Sequence, residues 1–467
     1  NSMLKDFLWY FPAVLLPRFG AFALIIFGAK LLGSEQYGLL SLVIIIGEGA
    51  DLVLTNWVRI GIARFGSSKN GLDRLFISAT RELVSRTTIL SAFFAGVVGA
   101  IIAPLHQSFS VCIACIAYII GIATLRFSLA VAQTGGQRKL CSLIESSRAS
   151  LSVIISIFCM YVFRNYLTVI FAQSTIAAIA GLIIWKKLNN NSLSDLLNEL
   201  EVKNIITELK HFGYPLIFLG LLLQGITALD KFTLSLNFPM EILGKYYAAF
   251  AVARTPIDVL CSAMNTGAFI KISSLYNDGE FEKFSDLLGK QLLFIFSITL
   301  PIILVWYFCA GEIGELLAGK DYIEAFQESG LYIAIGAIAM NLRGNIFDAV
   351  LHMRMKNMLQ IPALSCGLAV SASIALLSSG VNAFQMASNM YLWSSLSATA
   401  VAAIVSYTLI KIRLNIKKLI SLIAVFVLSI PCWIYLISHI DLTIARVVVA
   451  CSLCVTQMGF CVWLVKR

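Results

Sequence analysis

FLWYFPAVLLPRFGAFALIIFGAKLLGSEQYGLLSLVIIIGEGADLVLTNWVRIGI, residues 7 to 62, holds two long apolar runs joined by a short turn, and it carries Arg18, Glu48, Asp51 and Arg59 inside them. A helix crosses the hydrocarbon of a bilayer in about 20 residues, whereas the alternating strands of a barrel need only about 10. The stretch therefore reads as a pair of transmembrane helices. A charge at the bilayer centre costs about 2.5 to 3.5 kcal/mol on insertion scales, so charges kept there face a watery interior or one another. The four charges point to a polar path through the membrane or to ion pairs within it.

The rest of the chain extends this pattern. Of 467 residues, 59% are hydrophobic and 13% charged, and the mean hydropathy is +0.87. Ordinary soluble domains are about 45 to 50% apolar and about 25% charged. Apolar runs place spans at 7–32, 37–62, 87–103, 109–132, 149–163 and 166–185, then at 213–236, 244–270, 290–310, 329–351, 358–379 and 386–410, with a last pair at 418–437 and 443–465. The fold expected is all-α and polytopic, with about fourteen helices. Its organisation reads as an N-terminal six-helix bundle over 1–188, a linker over 189–211, a second six-helix bundle over 212–412 and an additional helix pair over 413–467.

A net charge of +10 raises the question of nucleic acid, but the placement of Lys and Arg answers it. They lie before span 1 and in every second connection, including Arg64, Arg74, Lys139, Arg148, Lys186, Lys271, Lys290, Lys356, Arg413 and Lys418. The intervening connections hold only Arg164, Lys245 and Lys320. This bias, about eightfold, puts both termini in the cytoplasm by the positive-inside rule and implies no nucleic-acid partner. The chain before span 1 has no signal-peptide pattern, so no removable leader is expected. The eleven cysteines fall in apolar segments; Cys112 with Cys115 and Cys451 with Cys454 have C-x-x-C spacing without His or acidic neighbours, which points to packing rather than metal.

Internal similarity suggests a repeat. Leu32-Gly33-Ser34-Glu35-Gln36-Tyr37-Gly38, between spans 1 and 2, resembles Phe238-Pro239-Met240-Glu241-Ile242-Leu243-Gly244, between spans 7 and 8. Six spans per half make such a repeat parallel, related by an axis along the membrane normal, with two bundles facing each other across a central cleft. The connections 67–86 and 276–290 each follow the second span of a half. Their apolar residues, Leu72, Leu75, Phe76 and Leu83 in one and Phe281, Phe284, Leu287 and Leu288 in the other, read as amphipathic helices lying on the membrane surface. Pro17, Pro256, Pro301, Pro362 and Pro431 fall within spans and are candidates for kinks.

Two further segments carry a resemblance. Ala29-Lys30-Leu31-Leu32-Gly33-Ser34-Glu35-Gln36-Tyr37-Gly38-Leu39 looks like the "LG..EYG" turn, and Leu316-Leu317-Ala318-Gly319-Lys320-Asp321-Tyr322-Ile323-Glu324-Ala325 is similar to the "LFG.EY..A" segment, of Wzx-type polysaccharide flippases in the MOP superfamily that also holds lipid II flippases and MATE exporters. The resemblance covers the chain in layout, through turn and packing signatures. It implies alternating access, an inner-membrane location, and transfer of an undecaprenyl-diphosphate-linked oligosaccharide from the cytoplasmic to the periplasmic leaflet, as in O-antigen biosynthesis. It also implies a monomer among membrane lipids, working beside a polysaccharide polymerase and a chain-length regulator.

The in-span charges divide by chemistry. Arginine offers a planar, permanent cation that fits phosphate oxygens two at a time. Arg59, Arg126 and Arg343, toward the cytoplasmic ends of their spans, are candidates for first capture of the diphosphate, with Arg18 and Arg254 next. Intramembrane carboxylates often act as relays, so Glu48, Asp51, Asp230 and Asp258 are candidates for coupling to a H+ or Na+ gradient. Lys231 and Gln224 add polar groups to the expected cleft, and Trp57, Tyr214, Asn265, Asn341, Asn345 and Tyr391 are candidates for sugar contact. The bland alternative is a set of ion pairs locking helices together, such as Arg18 with Asp51; Lys30, Asp348 and Arg446 are read as residues near span ends that reach water.

Two rival functions share the composition. A MATE-like multidrug or ion antiporter handling cationic drugs calls for an acidic cleft, whereas these spans are net basic. A membrane polymerase or ligase needs catalytic groups outside, yet the longest such connection, 311–328, is short and acidic. The four histidines are isolated, and no Gly-Lys-Ser/Thr phosphate loop is present, so neither a metal cluster nor ATP hydrolysis is expected.

Overall fold

A computed structural model of the chain describes residues 17, 19–66, 74–104, 107–134, 137–188, 199–354, 356–378, 380–440 and 442–466. Arg18, and Pro12 in the same expected span, a further kink candidate by sequence, lie outside them. Fourteen helices follow one another among the described residues, and no strand occurs there. They are α1 (Phe19–Leu32), α2 (Ser34–Phe65), α3 (Arg74–Ile102), α4 (Ser108–Thr134), α5 (Arg138–Phe163), α6 (Tyr166–Leu188) and α7 (Glu199–Asn237). After these come α8 (Met240–Asn277), α9 (Phe281–Leu317), α10 (Lys320–Met353), α11 (Asn357–Leu377), α12 (Ala383–Leu409), α13 (Ile416–Ser438) and α14 (Thr443–Lys466). Twelve of them are long and apolar enough to cross a membrane, so the protein is a multi-pass membrane protein. Helix α8 falls outside that set although it has 38 residues, because Glu241, Lys245, Arg254, Asp258 and Lys271 dilute its hydropathy.

The turns follow from the sequence. Gly33 (φ 78°) and Gly319 (φ 109°), the glycines of the two quoted motifs, hold the positive φ that a side chain disfavours, and each precedes a helix start with an acid in its first turn, Glu35 and Asp321. Asn382 and Asn415 cap α12 and α13 by accepting from the amides of Phe384 (2.9 Å) and Lys418 (3.1 Å).

Contacts divide the chain into two compact units, Asn1–Gly244 and Lys245–Arg467. In the first, α4 packs on α3 and α6, α5 on α6, and α2 on α4; α7 joins this unit by packing on α2 and α3. Its start-to-start contact is reciprocal: a Cβ at Gly38 would overlap the Met240 carbonyl, and one at Gly244 would overlap the Ser34 carbonyl and come 2.8 Å from the Gly38 amide nitrogen. Ser34 and Gly38 are the residues aligned with Met240 and Gly244 by the turn similarity. In the second unit α12 packs on α10 and α11, α9 on α10 and α14, and α13 on α9 and α14.

The structure corrects several expectations. Residues 74–86 and 281–290 are not separate surface helices; they continue directly into α3 and α9. Their apolar faces find protein partners: Phe76 and Leu83 pack with Trp57 and Leu209, and Phe284 and Leu288 with Ile272 and Val350. Arg148 stands inside α5 rather than in a connection, where Glu145 three residues earlier neutralises it at 2.5 and 3.0 Å. Pro362 lies in the first turn of its helix, where no helical hydrogen bond is lost. Asp348, read as reaching water, is 4% exposed.

Candidate functional site

The charges of α2 meet α4 at a break in the geometry of α2. Residues Asp51–Thr55 form a π-helical turn, closed by the Asn56 amide donating to the Asp51 carbonyl five residues back. Thr55 donates to the Asp51 carbonyl at 2.8 Å and also to the Asp51 carboxylate. A π-turn absorbs one residue more than an α-turn, and such turns occur often at functional sites. In this unit the turn directs Asp51, 1% exposed, toward Arg59 and Arg126.

The resulting cluster is compact and charge-balanced. Arg59 donates to both Asp51 oxygens, at 2.6 and 2.8 Å, and to Thr55 and Asn56 at 3.3 and 3.1 Å. Its guanidinium lies 5.9 Å from the centre of the Phe127 ring. Arg126, from α4, donates through Nη1 to Asp51 and through Nη2 to both oxygens of Glu48, each at 2.9 Å. The Tyr118 hydroxyl donates to Glu48 at 2.7 Å. That ring fits because position 47 is glycine: a Cβ there would overlap its edge. Two guanidinium groups thus face two carboxylates, each satisfied from more than one side, which is what buried charge requires.

Arg126 differs from Arg59 in access. Its side chain is 34% exposed against 16% for Arg59. Arg126, Glu48 and Tyr118 line a cavity of about 240 Å³ within the first unit, completed by α1, by Arg148 and Ser152 of α5, and by Gln173 and Ser174 of α6. Arg59 and Asp51 do not line it. The Ser174 hydroxyl, buried, has no hydrogen-bond partner. The cavity therefore offers exchangeable donors beside a fixed ionic floor.

The other sequence candidates sit elsewhere. On α7, Lys231 bonds Asp230 at 3.0 and 3.1 Å and the Thr227 carbonyl at 2.8 Å, with both residues fully buried. Gln224 donates to the Ile45 carbonyl at 3.3 Å. In the second unit Arg254 donates to Asp258 at 2.8 Å, and Asn341 of α10 donates to the other Asp258 oxygen at 2.6 Å. Asn345 bonds Asn341 at 3.4 Å, and the Arg254 guanidinium lies 5.6 Å from the Phe250 ring centre. A second π-turn, Arg343–Phe347, brings Arg343 within 3.2 Å of Asp348; both are nearly enclosed, and the Arg343 Nη1 and Asp348 Oδ1 atoms have no hydrogen-bond partner. Arg446, on α14, pairs with Glu312 at 3.1 Å.

Each arginine candidate among the described residues is thus held by a carboxylate. Asp51 pairs with Arg59 and Arg126; the pairing with Arg18 considered from sequence lies outside the described residues. Trp57 and Tyr391 are buried and packed, Trp57 donating to the Leu54 carbonyl at 2.9 Å. Sequence reasoning missed Tyr118, Arg148, Gln173 and Ser174 as cavity residues, since nothing in an apolar span marks which polar side chain points inward.

The family comparison now bears on this geometry. The sequence pattern of a family described as "Polysaccharide biosynthesis protein" matches residues 28–327, well over half of the chain. The chain belongs to this family. No curated protein matches it. Among solved structures, this polysaccharide biosynthesis protein is similar to the lipid II flippase MurJ in an inward closed conformation, with 13% identity, a TM-score of 0.73 and 98% of each chain covered. It is also similar to the Vibrio cholerae MATE transporter VcmN in the bent form (14%, TM-score 0.53, 87% of this chain and 97% of that one). The eukaryotic MATE transporter AtDTX14 gives 11%, 0.52, 88% and 96%. At these identities the likeness establishes the fold alone.

Proposed function

We propose that the protein is a Wzx-type flippase, which moves an undecaprenyl-diphosphate-linked oligosaccharide from the cytoplasmic to the periplasmic leaflet of a bacterial inner membrane by alternating access, with both termini in the cytoplasm. The observation that carries this reading is Arg126: a guanidinium inside a membrane span, partly accessible, lining a cavity of mixed polar and apolar wall and held by carboxylates rather than by backbone. A diphosphate offers the same bidentate acceptor geometry as Glu48 with more charge, so it can take the place of Glu48 at Nη2. Arg59, bonded to both Asp51 oxygens, keeps Asp51 neutralised while this happens and acts as a positioning residue. Arg254, 30% exposed and bonded to Asp258, has the same capacity for exchange in the second unit.

Displacement leaves Glu48 without its cation. A carboxylate freed at membrane depth must take up a proton or a cation, because the isolated charge is costly there. Substrate capture at Arg126 and uptake of H+ or Na+ at Glu48 are then one event, which supplies a route for gradient coupling. Consumption of the product by a polymerase at the outer face gives the cycle its direction.

Reconstitution in proteoliposomes with a lipid-linked oligosaccharide tests the reading. Arg126→Ala, purified as a folded protein, is expected to lose translocation by about tenfold or more, and Arg126→Lys to fall between, since lysine keeps the charge without the fork. Unchanged translocation in Arg126→Ala would remove the basis of the proposal.

A further inference from the structure

A second pocket lies in the other unit, remote in sequence from every ionic cluster described above. The third turn of α9, the segment leading into α13, the first turn of α13 and the last turn of α14 enclose about 310 Å³. Lys290, Arg413 and Lys418 line it against a single carboxylate, Asp286, while Leu293, Leu414 and Val465 give it an apolar floor. That floor continues into the cluster of Leu293, Leu422 and Cys461, so the pocket opens onto packed helix interface rather than onto a loop surface.

The walls are fixed. Ser285 accepts from the Arg413 amide at 2.9 Å and donates to the Lys411 carbonyl, clamping the connecting segment onto α9. The approach needs glycine at 289, where a Cβ would overlap the Arg413 carbonyl. Lys418 reaches the Val465 carbonyl at 2.7 Å and ties α13 to α14, leaving two of its three protons for other acceptors. Arg413 bonds Glu282 at 2.8 Å through one nitrogen. Asn415 caps the Lys418 amide, and the remaining first-turn amides of α13 add the positive end of a helix dipole.

We propose that this pocket binds the phosphate headgroup of an anionic membrane lipid. Lys290, Arg413 and Lys418 outnumber Asp286 in the lining, and still exceed the acids by one when Glu282, which holds Arg413 from outside it, is counted, so the pocket attracts a phosphate; basic pockets between membrane helices on the positively flanked side are where anionic headgroups bind. The apolar floor suits the glycerol and first methylenes of a lipid. Occupancy ties α13 and α14 to α9.

The test uses the full chain purified in neutral detergent. Native mass spectrometry and thermal unfolding are followed with added phosphatidylglycerol, phosphatidylcholine or inorganic phosphate. Phosphatidylglycerol is expected to bind at least about tenfold tighter than phosphatidylcholine and to raise the unfolding midpoint saturably. Lys290→Gln, at an exposed position, and Lys290→Gln with Lys418→Gln should weaken it stepwise, by about tenfold or more in the double variant. Lys417→Gln removes the same charge outside the pocket and should change binding less than about twofold. Equal binding of the two lipids, or equal losses in Lys417→Gln and Lys290→Gln, would overturn the assignment. Inorganic phosphate alone reproducing the stabilisation would overturn it in favour of a free-anion site.

Discussion

Asp51 and Arg59 are eight residues apart on one helix and yet share a two-pronged ion pair of 2.6 and 2.8 Å. On an α-helix, at about 100° per residue, positions eight apart diverge by about 80°, whereas positions seven apart diverge by about 20°. The π-turn Asp51–Thr55 takes up the extra residue and restores the alignment. The same device sets Arg343 beside Asp348 in the second unit.

This relationship predicts an asymmetry between length variants. Deleting Leu52 should convert the turn to regular α-helix with Asp51 and Arg59 seven apart, and so keep the pair. Inserting one alanine after Leu52 should separate them. Yield and thermal midpoint of the purified protein are expected to fall far more for the insertion than for the deletion.

Removing one partner of the pair exposes its energetics. Breaking a buried ion pair from one side costs about 3 to 5 kcal/mol. Asp51 retains Arg126, so Arg59→Gln should fall at the lower end of that range. Adding Asp51→Asn should recover part of the loss, which a double-mutant cycle on thermal unfolding will read as non-additivity.

Glu48 is expected to carry coupling. In proteoliposomes bearing an imposed proton or sodium gradient, Glu48→Gln should translocate at a rate indifferent to the gradient while the unaltered protein responds. If both respond alike, coupling lies elsewhere.

The Arg254 pair is more exposed than the Asp51–Arg59 pair, 30% and 38% for its two side chains, so breaking it costs less. Arg254→Ala should therefore leave the thermal midpoint nearly unchanged while lowering translocation severalfold. A loss of stability without a loss of transport would make it a structural pair.

Gly38 and Gly244 meet backbone to backbone, and backbone cannot move aside as a flexible side chain can. Gly38→Ala is expected to cost about 1 to 3 kcal/mol, the range for overpacking. Fluorescence-detected size-exclusion chromatography should show reduced, less uniform protein.

The spans were legible because hydrocarbon thickness demands about 20 apolar residues in a row, a one-dimensional signal. The helices themselves were less so. α3, α5, α7 and α9 begin at Arg74, Arg138, Glu199 and Phe281, well before their apolar runs, because hydropathy reports the membrane and not the length of the rod. The site was legible in its ingredients: Glu48, Asp51, Arg59 and Arg126 stood out as charges in apolar sequence. Their partnership was hidden, since Asp51 to Arg59 violates α-helical spacing and Arg126 arrives from another helix.

The sequence by itself determined an all-helical, many-span membrane protein, the turns at Gly33 and Gly319, and a surplus of basic over acidic groups within the spans. Each of these depends on local composition: the length of an apolar run, a residue that accepts positive φ, the presence of a charge. Only the tertiary structure decided that Arg126 bridges Glu48 and Asp51 and opens onto a cavity while Arg59 has Asp51 as its carboxylate partner. That choice depends on a single π-turn and on which helices pack together, and both arise from contacts between residues far apart in the chain.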